Sequence, residues 1–262
     1  MVDIDVVRQA LEVQTARTAE LLRAIEDPAS PIPDSEWSVG EAAAHLAIGA
    51  EGYSEYARRL PRRHPIDLTD VAGSTRRAFE AMPERDGAKL AEMMVAGIDI
   101  FLEATAELGA DDQVRWHSEL TMPCATITCL LLVEQLLHGW DIARTIDVPW
   151  EIPNESARLV LITVGPFLAL AANRETAALF DAEYELAVDG GPRLFAVCRG
   201  GGLTIGTSPT ATIDCRLGGD PATWLLALWG RVPWTDLIEA GAITVEGDAM
   251  LAARFKSLLR NP

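Results

Sequence analysis

A glutamate and a histidine interrupt an otherwise apolar stretch near the middle of the chain. Glu134 and His138 lie four residues apart within the leucine-rich segment 130–141, so a helix would present both side chains from one face. An ionised carboxylate inside an apolar stripe costs free energy unless a positive charge or a metal ion answers it. An imidazole one turn away offers a nitrogen to the same cation. The spacing fits a metal site or a simple hydrogen-bonded pair, and by itself it leaves both open.

A third ligand would complete a set of two nitrogens and one carboxylate. The chain has four histidines, and His45 lies in the middle of a second helical, apolar segment. Three protein ligands with one open position are typical of catalytic metal sites rather than structural ones. His45 is therefore the candidate third ligand, with a buried structural histidine as the alternative.

Helices must hold these side chains, and the hydrophobic spacing predicts four of them. Ser38 and Glu41 fit a capping box that opens a helix through roughly residue 59. The other three helices are predicted over residues 3–26, 69–108 and 125–145. The possible interruptions in 69–108 are Gly73, Pro83, Gly87 and Gly97. Four helices with short or moderate loops predict an antiparallel four-helix bundle.

The pattern changes after residues 148–153, where two prolines mark a linker. We therefore predict two domains, 1–148 and 151–262. In the second, a helix precedes two strands that flank a glycine-rich turn, which is a hairpin signal. The predicted elements are helices at about 156–173, 221–229 and 249–259, and strands at 184–188, 194–198, 211–215 and 242–245. The fold class is α+β, a helical bundle followed by a smaller mixed domain.

The net charge of −17 argues against nucleic acid or anionic membrane as partners, because an acidic surface repels both. The basic run at residues 58–64 is the local exception, and we interpret it as a solvated helix end. None of the four cysteines forms a C-x-x-C pair, and neither a signal peptide nor a membrane-spanning run is evident. These features predict a cytoplasmic protein with free thiols. Gly200 to Gly202 lack the lysine of a phosphate loop and predict a turn.

Two motifs of the first domain resemble the mycothiol-dependent maleylpyruvate isomerase family. They are Trp37-Ser38-Val39-Gly40-Glu41 with His45, and Glu134 with His138-Gly139-Trp140-Asp141. The second domain is similar to that family's sterol-carrier-like domain, through Thr244-Val245-Glu246-Gly247-Asp248 and Ala252-Ala253-Arg254-Phe255. The resemblance covers nearly the whole chain in the same order. It implies a DinB-like metal-binding bundle followed by a sterol-carrier-like α+β domain.

The resemblance also implies roles for individual residues. The family's metal ligands fall on His45, Glu134 and His138, and two nitrogens with one carboxylate suit zinc, although nickel, iron or manganese remain open. The spacing, rather than the resemblance, suggests the role of Asp141, which lies three residues after His138 and is expected to orient a ligand at the cofactor site, or else to pair with Arg144 at the surface. Arg231 matches a position where the family tends to carry an arginine facing the cleft between domains, so it is the candidate catalytic residue. A plain surface arginine is the alternative.

The implied chemistry uses mycothiol, a small sugar thiol, as cosubstrate against an electrophilic small molecule. A metal-activated thiolate could add to an electron-poor double bond and leave after rotation, as in an isomerase, or stay on the product, as in an S-transferase. Two other classes remain open at this point. They are a metal-dependent hydrolase that activates water, and a non-catalytic small-molecule-binding protein that uses the second domain.

Overall fold

The computed structural model describes residues 2–67, 69–117, 120–209 and 212–260. The chain divides into two compact units, Met1–Ile152 and Pro153–Pro262. The first is mainly helical, and the second combines helices with a sheet, as the α+β prediction requires. Within the described ranges, no helix is both long enough and apolar enough to cross a bilayer.

The first unit is built on four long helices. Their bounds are α1 Ile4–Arg23, α2 Val39–Ala57, α4 Gly87–Ala104 and α5 Cys124–Thr145, with a shorter α3 at Val71–Ala81. Helix α2 packs on α4 and α5, while α1 packs on α4 and α5 from the other side. The core between them consists of fully buried side chains that include Leu11, Leu22, Leu90, Met94, Phe101, Leu132 and Leu136.

Helix α2 starts where the capping box predicts. The Ser38 hydroxyl accepts a hydrogen bond from the Glu41 backbone N–H, and the Glu41 carboxylate accepts one from the Ser38 N–H. Both bonds satisfy donors that the first helical turn leaves without an intrahelical acceptor. The start of α2, and hence the position of His45 along it, is fixed by this cap.

The predicted helix over 69–108 is two helices. The chain leaves α3 at Met82, and α4 begins at Gly87 with Asp86 as its N-cap. Pro83 explains the break, because proline lacks the N–H that a continuous helix needs. Gly97 does not interrupt α4, since a Cβ there would lie 2.7 Å from the carbonyl carbon of Ala50 in α2. Its role is to let two helices approach closely.

A short hairpin that the sequence analysis did not predict connects α4 to α5. Its strands are β1 Gln113–Arg115 and β2 Thr121–Pro123, paired antiparallel. Strands of three residues are too short for an alternating pattern to be recognised. The hairpin positions His117, which follows β1 by two residues and is buried.

The second unit contains one five-stranded sheet with the strand order β5-β4-β3-β6-β7. The strands are β3 Ala182–Val188, β4 Arg193–Arg199, β5 Gly202–Gly206, β6 Cys215–Gly219 and β7 Thr244–Gly247. Strands β3 and β6 run parallel, and the other neighbours are antiparallel. The helices are α6 Asn154–Thr163, α7 Arg174–Ala177, α8 Pro221–Leu228, α9 Trp234–Glu239 and α10 Ala249–Arg254.

The hairpin of β3 and β4 confirms the two strands predicted around the Gly190 turn. The predicted helix over 156–173 is shorter, because α6 ends at Thr163 and a 3₁₀ helix follows at Gly165–Ala171. The predicted strand at 211–215 is wrong. Ala211 lies outside the described residues, and β6 begins only at Cys215. Gly218 and Gly219 of β6 have a low strand propensity, so the sequence does not predict this strand. Pairing with β3 and β7 outweighs that propensity.

We expect Ser38→Ala to lower the free energy of unfolding of the first unit by about 1 kcal/mol, because the Glu41 backbone N–H loses its side-chain acceptor. Urea unfolding of the full chain, with amide hydrogen exchange in the first turn of α2, measures the effect. Ser38→Asp retains a capping oxygen and is the matched control. Equal losses for the two variants would show that the cap does not hold α2.

Candidate metal centre

Helices α2 and α5 bring the three predicted metal ligands together. His45 projects from α2, and Glu134 and His138 project from successive turns of α5. Glu134 Oε2 lies 3.1 Å from His45 Nε2 and 3.3 Å from His138 Nε2. One ligand atom from each residue falls within 4.8 Å of the other two. A single divalent ion at about 2.0–2.2 Å from each donor would suit such a cluster.

The charge state of this cluster follows from its surroundings. Burial would raise the pKa of Glu134, but hydrogen bonds from His138 and His45 outweigh it and hold that pKa well below its ordinary value. Burial lowers the pKa of His45, although Glu134 opposes the shift. At neutral pH the site therefore presents a carboxylate and a neutral His45 ring, which is the protonation that metal binding requires.

His138 lies between two carboxylates, and this arrangement fits a bound cation. Its Nε2 faces Glu134, and its Nδ1 lies 3.3 Å from Asp141 Oδ2. A neutral imidazole has one N–H and could donate to only one of them. A cation in place of the Nε2 proton satisfies both sides, because Nδ1–H can then donate to Asp141. Carboxylate–histidine pairs of this kind orient ligands in metal sites.

Asp141 itself is buried and faces His138 rather than the surface. The alternative partner, Arg144, is directed elsewhere. It donates to the Pro33 carbonyl and lies 4.5 Å over the Trp140 ring. Of the two positions open to Asp141 from sequence, the structure shows the one beside His138.

Trp37 covers the outer side of the cluster. Its ring stacks on His138 with centroids 5.4 Å apart and lies 4.9 Å from the His45 ring. Phe79 of α3 meets the same tryptophan edge-on. Aromatic packing of this kind limits ring rotation, so both imidazoles are held in one orientation.

A small cleft of about 80 Å³ opens beside the cluster. Its lining includes His45, Glu134, Tyr53, Arg62 and His117. The sequence analysis assigned Arg62 to a solvated helix end and gave His117 no role. Both residues were visible in the sequence, Arg62 in the basic run and His117 as one of four histidines. Arg62 lies in a loop and His117 in the turn after β1, and hydrophobic spacing does not predict where such segments lie.

The candidate catalytic residue Arg231 belongs to the second unit, just after α8. Its Nη1 donates to the Trp229 carbonyl at 3.0 Å. Its predicted role remains a prediction. The four cysteines are buried and form no disulfide, and burial raises the pKa of Cys124, Cys198 and Cys215. Such thiols are poor nucleophiles at neutral pH, so the protein's own cysteines do not account for thiol chemistry.

Comparison with known proteins gives a consistent assignment. Residues 11–143 match the model of the mycothiol maleylpyruvate isomerase N-terminal domain, and residues 167–260 match the SCP-2 sterol transfer family. A crystal structure of the mycothiol-dependent maleylpyruvate isomerase is 14% identical and covers 95% of both chains with a TM-score of 0.53. That identity shows a shared fold and no more.

Two further structures match a smaller share of this chain, with lower TM-scores than the isomerase. A UbiJ-SCP2 ubiquinone synthesis protein is 26% identical, with a TM-score of 0.27, over 36% of this chain and 74% of its own. Sterol carrier protein 2 from Yarrowia lipolytica is 18% identical, with a TM-score of 0.31, over 40% and 90%. Comparison with the curated proteins found no match.

The first match spans just over half of the chain and contains the whole His45–Glu134–His138 cluster, and the second covers most of the remainder. The chain therefore belongs to the family of the mycothiol maleylpyruvate isomerase N-terminal domain, here followed by an SCP-2 domain.

Proposed function

We propose that the protein is a metal-dependent enzyme that uses mycothiol on an electrophilic small molecule, as an isomerase or an S-transferase. The observation that carries the proposal is the convergence of His45, Glu134 and His138 at the edge of a cleft. Two imidazoles and a carboxylate make three donors, so a tetrahedral ion would keep one position open. Zinc is the proposed metal, because it accepts this donor set and also binds sulfur well.

A cation held there would lower the pKa of a bound thiol and stabilise the thiolate at neutral pH. The protein's own residues prepare the site. Glu134 stays ionised and supplies the negative charge that attracts the ion. Nδ1 of His138 lies 3.3 Å from Asp141 while its Nε2 faces the cluster, and Trp37 packs against both rings. The donors are therefore oriented before any ligand arrives.

The need for an external thiol is supported by the state of the cysteines. Cys124, Cys198 and Cys215 have raised pKa values, and none of the four is exposed. Family membership supplies mycothiol as the proposed thiol. Arg231 stays the proposed catalytic residue of the second unit, on the resemblance alone.

Loss of any one ligand should abolish stoichiometric metal binding. We expect His45→Ala, Glu134→Ala and His138→Ala to purify with less than about a tenth of the metal of the unmodified protein, because two remaining donors bind a divalent ion weakly. Elemental analysis of protein made without a histidine tag measures this. His64→Ala removes a histidine outside the cluster and should leave the metal content unchanged. Near-stoichiometric metal in all three ligand variants would rule out the proposed metal site.

Metal-loaded protein should bind mycothiol through sulfur. Calorimetry with mycothiol and S-methyl mycothiol, on metal-loaded and metal-stripped protein, tests this directly. We expect the thiol to bind at least about tenfold more tightly than its methyl ether, only when metal is present, and more weakly as pH falls, because protons compete with the metal for sulfur. Equal affinity for the two compounds would rule out sulfur coordination. Thiol-independent turnover of an ester or amide would then favour a hydrolase.

A further inference from the structure

Among the residues that the structure describes, Arg62 has no acidic partner, although the protein is strongly acidic. The chain has 39 acidic residues against 22 lysines and arginines. Yet Arg62 has no carboxylate within 4 Å among the residues that the structure describes, and its Nε is buried with no hydrogen bond. The adjacent Arg63 behaves differently, since it pairs with Glu51 at 3.4 Å and its N–H donates to Glu55. The acids nearby are thus taken by Arg63, and Arg62 turns inward.

The packing around Arg62 is built to hold its guanidinium at the cleft. The group lies 5.3 Å over the ring of Tyr56. It also rests on α2 at Gly52, where a Cβ would come within 2.5 Å of Cζ. A larger residue at position 52 would displace the guanidinium. Arg62 lines the same cleft as His45 and Glu134.

The two side chains beside Arg62, His117 and Tyr56, are neutral and bring no negative charge. Arg62 Nη1 lies 3.5 Å from His117 Nδ1, and the Tyr56 hydroxyl lies 2.8 Å from the same nitrogen. Because a guanidinium can only donate, Nδ1 is an acceptor and the ring proton is on Nε2. Burial, and then the charge of Arg62, lower the pKa of His117 to about 4, so the ring is neutral at pH 7. Neither His117 nor Tyr56 therefore offsets the charge of Arg62, and the carboxylate that lines the same cleft is Glu134.

We propose that Arg62 is the anchor for an oxyanion group, such as a carboxylate, on the small molecule that occupies the cleft. A planar guanidinium can bind a carboxylate through two parallel hydrogen bonds, and partial burial strengthens them. Because Arg62, His45 and Glu134 line one small cleft, a single ligand there would contact both the anchor and the metal cluster. As a statement about substrate, this rests on the proposed function and narrows the electrophile to an anionic one.

Binding of succinate and of its neutral analogue succinamide tests the anchor, with ligand-observed NMR on metal-stripped protein. We expect succinate to bind and succinamide not to bind. Arg62→Gln should lower the affinity for succinate at least about tenfold. Arg62→Lys, which keeps the charge, should lower that affinity less. The matched control is Arg63→Gln, which should stay within twofold of the unmodified protein. Circular dichroism and elemental analysis of each variant report its fold and its metal content.

The outcomes separate this proposal from the proposed function. Unchanged succinate affinity in Arg62→Gln, or an equal loss in Arg63→Gln, would overturn the anchor while leaving the metal centre untouched. Equal binding of succinate and succinamide would also overturn it. The opposite result is that the unmodified protein binds no metal, while Arg62→Gln abolishes succinate binding. That result would support the anchor and contradict the metal-dependent function.

Discussion

Glu134 is a carboxylate on the largely apolar helix α5, where 38% of its side chain is exposed and water solvates it only in part. That placement constrains the first unit, because a charge in such a position needs a positive group or hydrogen-bond donors at close range. His138 supplies one donor from the next turn, and His45 supplies the other from α2. The second contact exists only if α2 is correctly started and packed. The Ser38 cap, together with the close approach of α4 to α2 at Gly97, therefore belongs to the same arrangement.

The cluster and the cleft carry opposite charges at short range. Glu134 gives the metal side a negative charge, while Arg62 gives the other side a positive charge that no acid among the described residues pairs with. Burial lowers the pKa of His45, and the charge of Arg62 contributes a smaller part in the same direction. A ligand with a soft donor at one end and an oxyanion at the other would match both sides. The acidic surface does not favour such a ligand at long range, so recognition depends on this local pair.

Local spacing could predict Glu134 and His138, because residues four apart on one helix share a face whatever the rest of the fold does. His45 could be named only as a candidate in that way, since its distance from Glu134 depends on how two helices pack, and the resemblance then implied the same residue. The capping box predicted the start of α2 correctly, because its hydrogen bonds are local. Arg62 and His117 were missed because a loop and a short hairpin direct them into the cleft. Strand β5 was missed although Gly200 and Gly201, both with positive φ, are what a tight hairpin turn requires.

X-ray absorption spectroscopy of the zinc-loaded protein is the most direct measurement of the metal centre. The account predicts two imidazole nitrogens at about 2.0–2.1 Å and one carboxylate oxygen at about 2.0–2.2 Å, with no protein sulfur before a thiol is added. Addition of mycothiol should introduce a single sulfur at about 2.3 Å. A spectrum with sulfur already present in the thiol-free protein, or with fewer than two imidazoles, would contradict a centre formed by His45, Glu134 and His138.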